Sequence, residues 1–151
     1  MDHLLQRLKF NHRLELAPLL GGLMAEAVQE VAGTLPELLL PVPLSPARIG
    51  ERGYNQALEL ARIVSSRLAT PLDWQHCQRV RHTVAQTSLK RDERQSNLRG
   101  AFAVRGELPS HVAIIDDVVT TGATVSEFAK TLRQAGVREV EVWACARAGR
   151  G

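Results

Sequence analysis

The sequence predicts a doubly wound α/β fold, a mainly parallel sheet flanked by helices, in a single domain over residues 1–151. Three observations predict it. Short continuous apolar runs, the mark of strands buried on both faces, occur at Leu38-Leu39-Leu40, Val112-Ala113-Ile114-Ile115 and Val140-Glu141-Val142-Trp143-Ala144-Cys145. Other stretches carry apolar residues at helical spacing. The two kinds of signal alternate along the chain, as they do where crossover helices wind a parallel sheet.

Each element has its own warrant. Leu16, Leu19, Leu20, Leu23, Ala27 and Val31 predict an amphipathic helix over residues 14–32, with Gly33 as its stop. The Leu38 run is a buried strand that its prolines end near Pro43. Ser45 to Gly53 reads as a loop carrying Pro46, Arg48, Gly50, Arg52 and Gly53. Ala57, Leu60, Ala61, Val64 and Leu68 predict a helix from about Tyr54 to Leu68, closed by Thr70-Pro71. Trp74 to Val80 has a weaker strand pattern, and Ala101 to Val104 is a further strand candidate. Residues 81–100 between them are polar and basic and read as an arm with a short helix inside it. The last crossover is the clearest. Val112–Ile115 forms a strand that ends at Asp116-Asp117, and Val125, Phe128, Ala129 and Leu132 mark a helix over Thr124 to Ala135. Gly136 sits where such a helix is capped.

Composition narrows the class. Hydrophobic residues at 44% and charged residues at 23% suit a globular domain. No apolar run approaches the roughly 20 residues of a membrane span, and Met1-Asp2-His3 is not the start of a signal peptide, so a cytoplasmic location is expected. Cys77 and Cys145 share no C-x-x-C pattern and read as buried free thiols. The net charge is +3, and its excess gathers at Arg79, Arg81, Lys90, Arg91, Arg94, Arg99 and Arg105, opposed only by Asp92 and Glu93. This mobile basic arm, residues 79–105, would attract an anion, whether a small phosphate ester or a nucleic acid. A P-loop hydrolase is excluded for want of G-x-x-x-x-G-K-[ST], and a dinucleotide-binding fold for want of G-x-G-x-x-G.

Asp116-Asp117-Val118-Val119-Thr120-Thr121-Gly122-Ala123-Thr124 carries the chemistry. A helix starting near Thr124 turns unpaired N–H groups and its positive dipole end toward this loop, which suits an anion. Gly122 lets the backbone approach a phosphate, and Thr120, Thr121 and Thr124 add hydroxyl donors around it. Two carboxylates do not suit a phosphate but accept hydrogen bonds from vicinal sugar hydroxyls. Their charge also favours the cation that develops at an anomeric carbon as its leaving group departs. Neighbouring residues on a regular strand face opposite ways, so both acids reach one sugar only if the chain leaves strand geometry at about Asp117. Capping alone would account for Thr124 and one acid, not for the ordered string.

That string resembles the phosphoribosyl-pyrophosphate signature of the type I phosphoribosyltransferases. Val42-Pro43, Arg48 and Glu51-Arg52-Gly53-Tyr54-Asn55-Gln56 resemble the pyrophosphate-side loop of the ComF/GntX branch of that superfamily. Lys9-Phe10, Arg79, Thr83, Gln86, Leu89, Arg91, Arg94, Asn97 and Ala101-Phe102 are similar to the same branch. The resemblance implies a type I phosphoribosyltransferase-like fold and a site with Asp116, Asp117 and Arg52 in catalytic positions. Thr120, Thr121, Gly122, Ala123, Thr124, Gly53, Arg91 and Arg94 would bind substrate, the last two from a lid. It also implies Mg²⁺ held through phosphoribosyl pyrophosphate near Asp116 and Asp117 with no direct protein ligand, a homodimer, and a place in competence or DNA utilisation. Transfer would go to an acceptor for which no residue stands out as base. The alternative is a non-catalytic module that binds nucleotide or DNA for uptake or use. The cysteine-rich zinc module common in ComF proteins is absent from this sequence, so no zinc is expected.

Overall fold

The computed structural model describes residues 16–80 and 98–147, apart from the side chains of Pro46 and Arg52. In chain order the elements are α1 (Ala17–Val31), β1 (Leu38–Pro41), α2 (Pro46–Arg52), α3 (Gln56–Leu68), β2 (Cys77–Arg79), β3 (Phe102–Val104), β4 (His111–Val119), α4 (Ala123–Gln134) and β5 (Glu139–Arg147). The main sheet runs β1-β4-β5 and is parallel throughout, with Leu38 opposite Val112 and Val112 opposite Val140. Leu72 adds a parallel bridge outside β1, where the Leu39 amide donates to Pro71 and Leu39 accepts from Asp73.

The period of two along β1 and β4 divides the core between the faces of the sheet. Leu39, Ala113 and Ile115 pack with Leu20, Met24, Leu60 and Val64 of α1 and α3. Leu40, Val112 and Ile114 pack with Phe128, Ala129 and Leu132 of α4 and with Phe102. Helices therefore cover both faces, as a doubly wound sheet requires. The Phe102 and Phe128 rings, with centroids 5.0 Å apart, join β3 to α4.

Several elements differ from the reading of the sequence. The segment from Ser45 to Gly53 is not a loop but holds α2. Ser45 Oγ accepts from the Arg48 amide, Pro46 occupies the first turn, and Gly53 ends the helix at φ +81°. Trp74–Val80 and Ala101–Val104 do contain strands, but β2 and β3 form a separate antiparallel ribbon with Cys77 opposite Val104. The strand through Val112–Ile115 does not end at the acids. Continued pairing with β5 carries it to Val119. Helix α4 begins at Ala123 with Gly122 as its N-cap, so Thr124 lies inside the first turn rather than capping it.

The far end of α4 closes as expected. The Gly136 amide donates to Arg133 and the Val137 amide to Leu132, with Gly136 at φ +103°. Cys77 is buried, Cys145 half-buried, and both are free thiols. Among the described residues no helix is long and apolar enough to cross a membrane.

The contact between α1 and α3 depends on Gly21, where a Cβ would stand 2.6 Å from Ile63 Cβ. At Gly22 the nearest neighbour is the flexible end of Arg67 at 3.6 Å. Gly21→Ala is expected to cost about 1–3 kcal/mol in urea unfolding, because the two helices must part. Gly22→Ala should be neutral or stabilise by up to about 1 kcal/mol, because alanine is the better helix former. Equal losses at both positions would contradict this packing.

Candidate functional site

The site sits at the carboxyl end of the sheet, where ligands bind in open α/β folds. The β1 ladder reaches only to Pro41 opposite Ile115, followed by one bond from the Val42 amide to Ile115 O at 3.0 Å. Beyond Ile115, β4 goes on beside β5 through Asp116, Val118 and Val119. Asp117 drops out of that register. The side chains compensate. Asp116 Oδ1 accepts from the Asp117 amide and Asp117 Oδ1 from the Val118 amide, each at 2.8 Å.

Alternation is interrupted at the same point. Ile115 and Val118, three residues apart, pack against the α1/α3 cluster, and Val119 packs against the α4 cluster. The chain thus leaves regular strand geometry across the two acids. Asp117 is 8% exposed and Asp116 half-buried. Both carboxylates act on one thiol of β5. Burial first, then Asp117, then Asp116, push Cys145 up to about 12.

Just beyond lies the turn into α4. Gly122 is the N-cap at φ +83°, a conformation L side chains rarely adopt. A Cβ there would meet nothing within 4 Å, so the space over it is open. Thr121 Oγ1 accepts from the Ala123 amide at 3.3 Å, and Gly122 O accepts from the Ser126 amide at 2.9 Å. The first turn of α4 also turns the positive end of the helix dipole toward this loop. Thr120 and Thr121 are exposed and Thr124 half-buried.

A cleft of about 380 Å³ opens beside this turn, lined by Thr121, Gly122 and Ala123 together with Arg99, Ser126 and Lys130. Glu127 lines it too and accepts the Gly100 amide at 3.1 Å, which holds the Leu98–Gly100 turn against α4. The sequence reading did not single out Lys130. Its signal was there, since Ala123, Ser126 and Lys130 recur at helical spacing. Asp116 and Asp117 do not line this cleft, and stand at the end of the strand that leads into it.

On the other side, α2 carries the predicted anion residues back toward β1. Arg52 is its last residue and Gly53 its C-cap, with the Gly53 amide on Ile49 O at 2.7 Å. Asn55, part of the string that resembles the pyrophosphate-side loop, ties this segment down. Its Nδ2 donates to Val42 O at 3.1 Å, while its Oδ1 accepts the amides of Ala57 and Leu58 at the start of α3. The Arg52–Gly53 segment is thereby anchored one strand away from the acids. Lys9-Phe10, Thr83, Gln86, Arg91, Arg94 and Asn97 lie outside the described residues, as does most of the 79–105 arm.

No family model matches the chain. Individual proteins do. It is 40% identical over 153 residues to competence protein F of Haemophilus influenzae, covering 96% of this chain and 67% of that one. It is 39% identical over 162 residues to the DNA utilization protein YhgH of Escherichia coli K12, covering 97% and 67%. The chain thus spans about two thirds of the length of these relatives. Among solved structures, the purine phosphoribosyltransferase of Pyrococcus horikoshii superposes with a TM-score of 0.51 at 18% identity, over 87% of this chain and 72% of that one. A likeness at that identity speaks to the fold. By sequence the chain belongs to the ComF family of competence and DNA-utilisation proteins, and its fold is that of the type I phosphoribosyltransferases.

Proposed function

We propose that the chain binds phosphoribosyl pyrophosphate with Mg²⁺ and transfers the phosphoribosyl group to an acceptor, in the setting of competence and DNA utilisation that its relatives' names carry. The observation that carries this reading is the open, left-handed Gly122 turn reached by the same strand that carries the two carboxylates near its carboxyl end. Amides of the first turn of α4 and the hydroxyls of Thr120, Thr121 and Thr124 would hold the 5′-phosphate. Asp116 and Asp117 would accept hydrogen bonds from the ribose hydroxyls and stabilise positive charge as pyrophosphate departs. The backbone at Arg52 and Gly53 ends α2 on the β1 side, where the pyrophosphate would lie, and Arg91 and Arg94 would bind the same ligand.

The carboxylate oxygens of Asp116 and Asp117 are hard donors that fit Mg²⁺. Among the described residues no third His, Cys, Asp or Glu joins them in a metal-binding group, so ligand oxygens would complete the shell. When bound, the ion would offset the negative charge of the departing pyrophosphate, with Asp116 and Asp117 beside it.

A second reading keeps the site and changes the ligand. Arg99 and Lys130 beside the Gly122 turn favour a non-catalytic module that holds a nucleotide or DNA 5′-phosphate. Its DNA affinity would fall steeply with salt, in proportion to the phosphates contacted.

Calorimetry with phosphoribosyl pyrophosphate and Mg²⁺ tests the first reading. Saturable binding is expected, with Asp116→Asn and Asp117→Asn each weakening it by roughly ten- to a hundredfold, the worth of one charge-assisted hydrogen bond. No binding at millimolar ligand contradicts it.

The acids can also be read without ligand. In a Cys77→Ala background the Cys145 thiol should titrate near the raised value of about 12 rather than 9.0. Either Asp→Asn substitution should bring it down, because each carboxylate opposes the thiolate. A thiol that ionises later in the fold adds stability that is full below about 9 and is lost as pH climbs toward 12. A Cys145 titration unmoved by both substitutions would place the acids away from it.

A further inference from the structure

We propose that the open edge of β5 pairs with β5 of a second copy of this chain, antiparallel about a two-fold axis at Trp143, with the two α1 helices meeting across it. A family resemblance can imply a homodimer but not its surface, and here β5 and α1 carry the surface. None of the residues it uses holds ligand in the phosphoribosyl reading, so the two stand or fall separately.

Among the described residues β5 is the edge strand of the main sheet. It is apolar along most of its length, as β4 is, yet no residue of β5 is buried, whereas Val112–Ile115 of β4 are fully so. A groove of about 740 Å³ runs beside it, lined by Val142, Trp143 and Cys145 of β5 and by Leu23, Ala27 and Val31 of α1. Large apolar side chains face solvent along it: Val31 is 84% exposed, Leu23 45% and Val142 43%. Such a gathering marks an interaction surface, and an uncovered strand edge is a template for another strand.

The strand's own register says which partner fits. The Glu139 amide donates to Ser110 O at 2.8 Å, so the Glu139 backbone faces β4. Alternation turns Glu141, Trp143 and Cys145 the same way and leaves the backbone groups of Val140, Val142, Ala144 and Ala146 toward the open edge. A partner related by a two-fold axis must run antiparallel and set outward residues opposite one another. Centred on Trp143, Val142 meets Ala144 of the second copy, and Val140 meets its Ala146. Glu139 then stands opposite Arg147 of the second copy, and the same pair recurs at the other end. Both side chains are exposed and free to meet, and opposite charges across strands attract. A pairing centred on Glu141 would instead set two glutamates face to face. Glu141 is engaged within its own chain by His111 Nε2 at 2.8 Å. An axis normal to the sheet keeps both α1 helices on one face, side by side above the groove, where Leu23 and Val31 gain apolar cover.

Sedimentation of the full chain over a range of concentrations tests this. The expected species is a dimer of the 16.6 kDa chain that dissociates on dilution. Val142→Pro removes an N–H that faces outward, not one bonded to β4, so it should give a folded monomer by circular dichroism. Arg147→Glu and Glu139→Arg each turn two attractive pairs into repulsive ones and should each weaken the dimer by roughly tenfold or more. Combining them in one chain restores opposite charges at both ends and should restore the dimer. That rescue depends on the register and also serves if Val142→Pro fails to fold. Three results would overturn the proposal: a chain that stays monomeric at high concentration, its edge covered by another segment or by nothing; a dimer indifferent to Val142→Pro and to both charge reversals; or a dimer weakened by each reversal and not restored by the pair.

Discussion

The parallel ladder between β4 and β1 stops at Ile115, where Val42 donates its amide, while the ladder between β4 and β5 runs on to Val119. Everything at the candidate site depends on this mismatch of four residues between the two ladders. Past Ile115 the strand keeps one neighbour and loses the other, and backbone groups near a core must find partners. Asp116 and Asp117 meet that need by accepting the amides of the residues that follow them. The same side chains therefore stabilise a frayed strand and present carboxylate at its end. Neutral aliphatic residues here would leave two amides without these partners.

The rest of the fold holds this point still. Apolar clusters on both faces grip β4 through Val112, Ala113, Ile114 and Ile115, all fully buried. Phe128 and Leu132 seat α4 on one face, and the paired amides at Gly136 and Val137 close its far end. The near end of α4 is consequently fixed relative to the acids, with Gly122 opening its first turn outward. Asn55 performs the corresponding service on the β1 side by bonding Val42 and the start of α3 with one side chain. A ligand spanning the two sides would thus meet groups whose positions are set by packing before it arrives, which reduces the ordering cost of binding.

Much of this was legible in the amino-acid sequence, for physical reasons. Strands buried on both faces must be apolar throughout, which marked Leu38–Leu40 and Val112–Ile115. Helices resting on a sheet must repeat every three or four residues, which marked α1, α3 and α4. What escaped was structure held by something other than apolar pattern. Helix α2 has one large aliphatic residue, Ile49, and it is 43% exposed, so no periodicity announced the helix. Its capping pair Ser45-Pro46 and its closing Gly53 were the usable signals. The extension of β4 through Asp116-Asp117 rests on pairing with β5, which residue type does not reveal. The position of Gly122 as N-cap follows from its positive φ, and Thr124 offered a more conventional cap to a reader of sequence alone. The ribbon of β2 and β3 pairs residues 77 and 104, too far apart for any local pattern to join. Of the predicted site residues, the string from Asp116 to Thr124 and the Arg52–Gly53 segment fall at one end of the sheet. Arg91 and Arg94 fall outside the described residues.

The arrangement makes a spatial demand that crystals soaked in ribose 5-phosphate would check directly. The account predicts difference density with phosphorus over Gly122, within hydrogen-bonding reach of the Thr124 and Val125 amides, and the sugar hydroxyls on the carboxylates of Asp116 and Asp117. A sugar phosphate seated elsewhere, or seated over Gly122 with both acids still folded back on their own backbone and out of its reach, would contradict it.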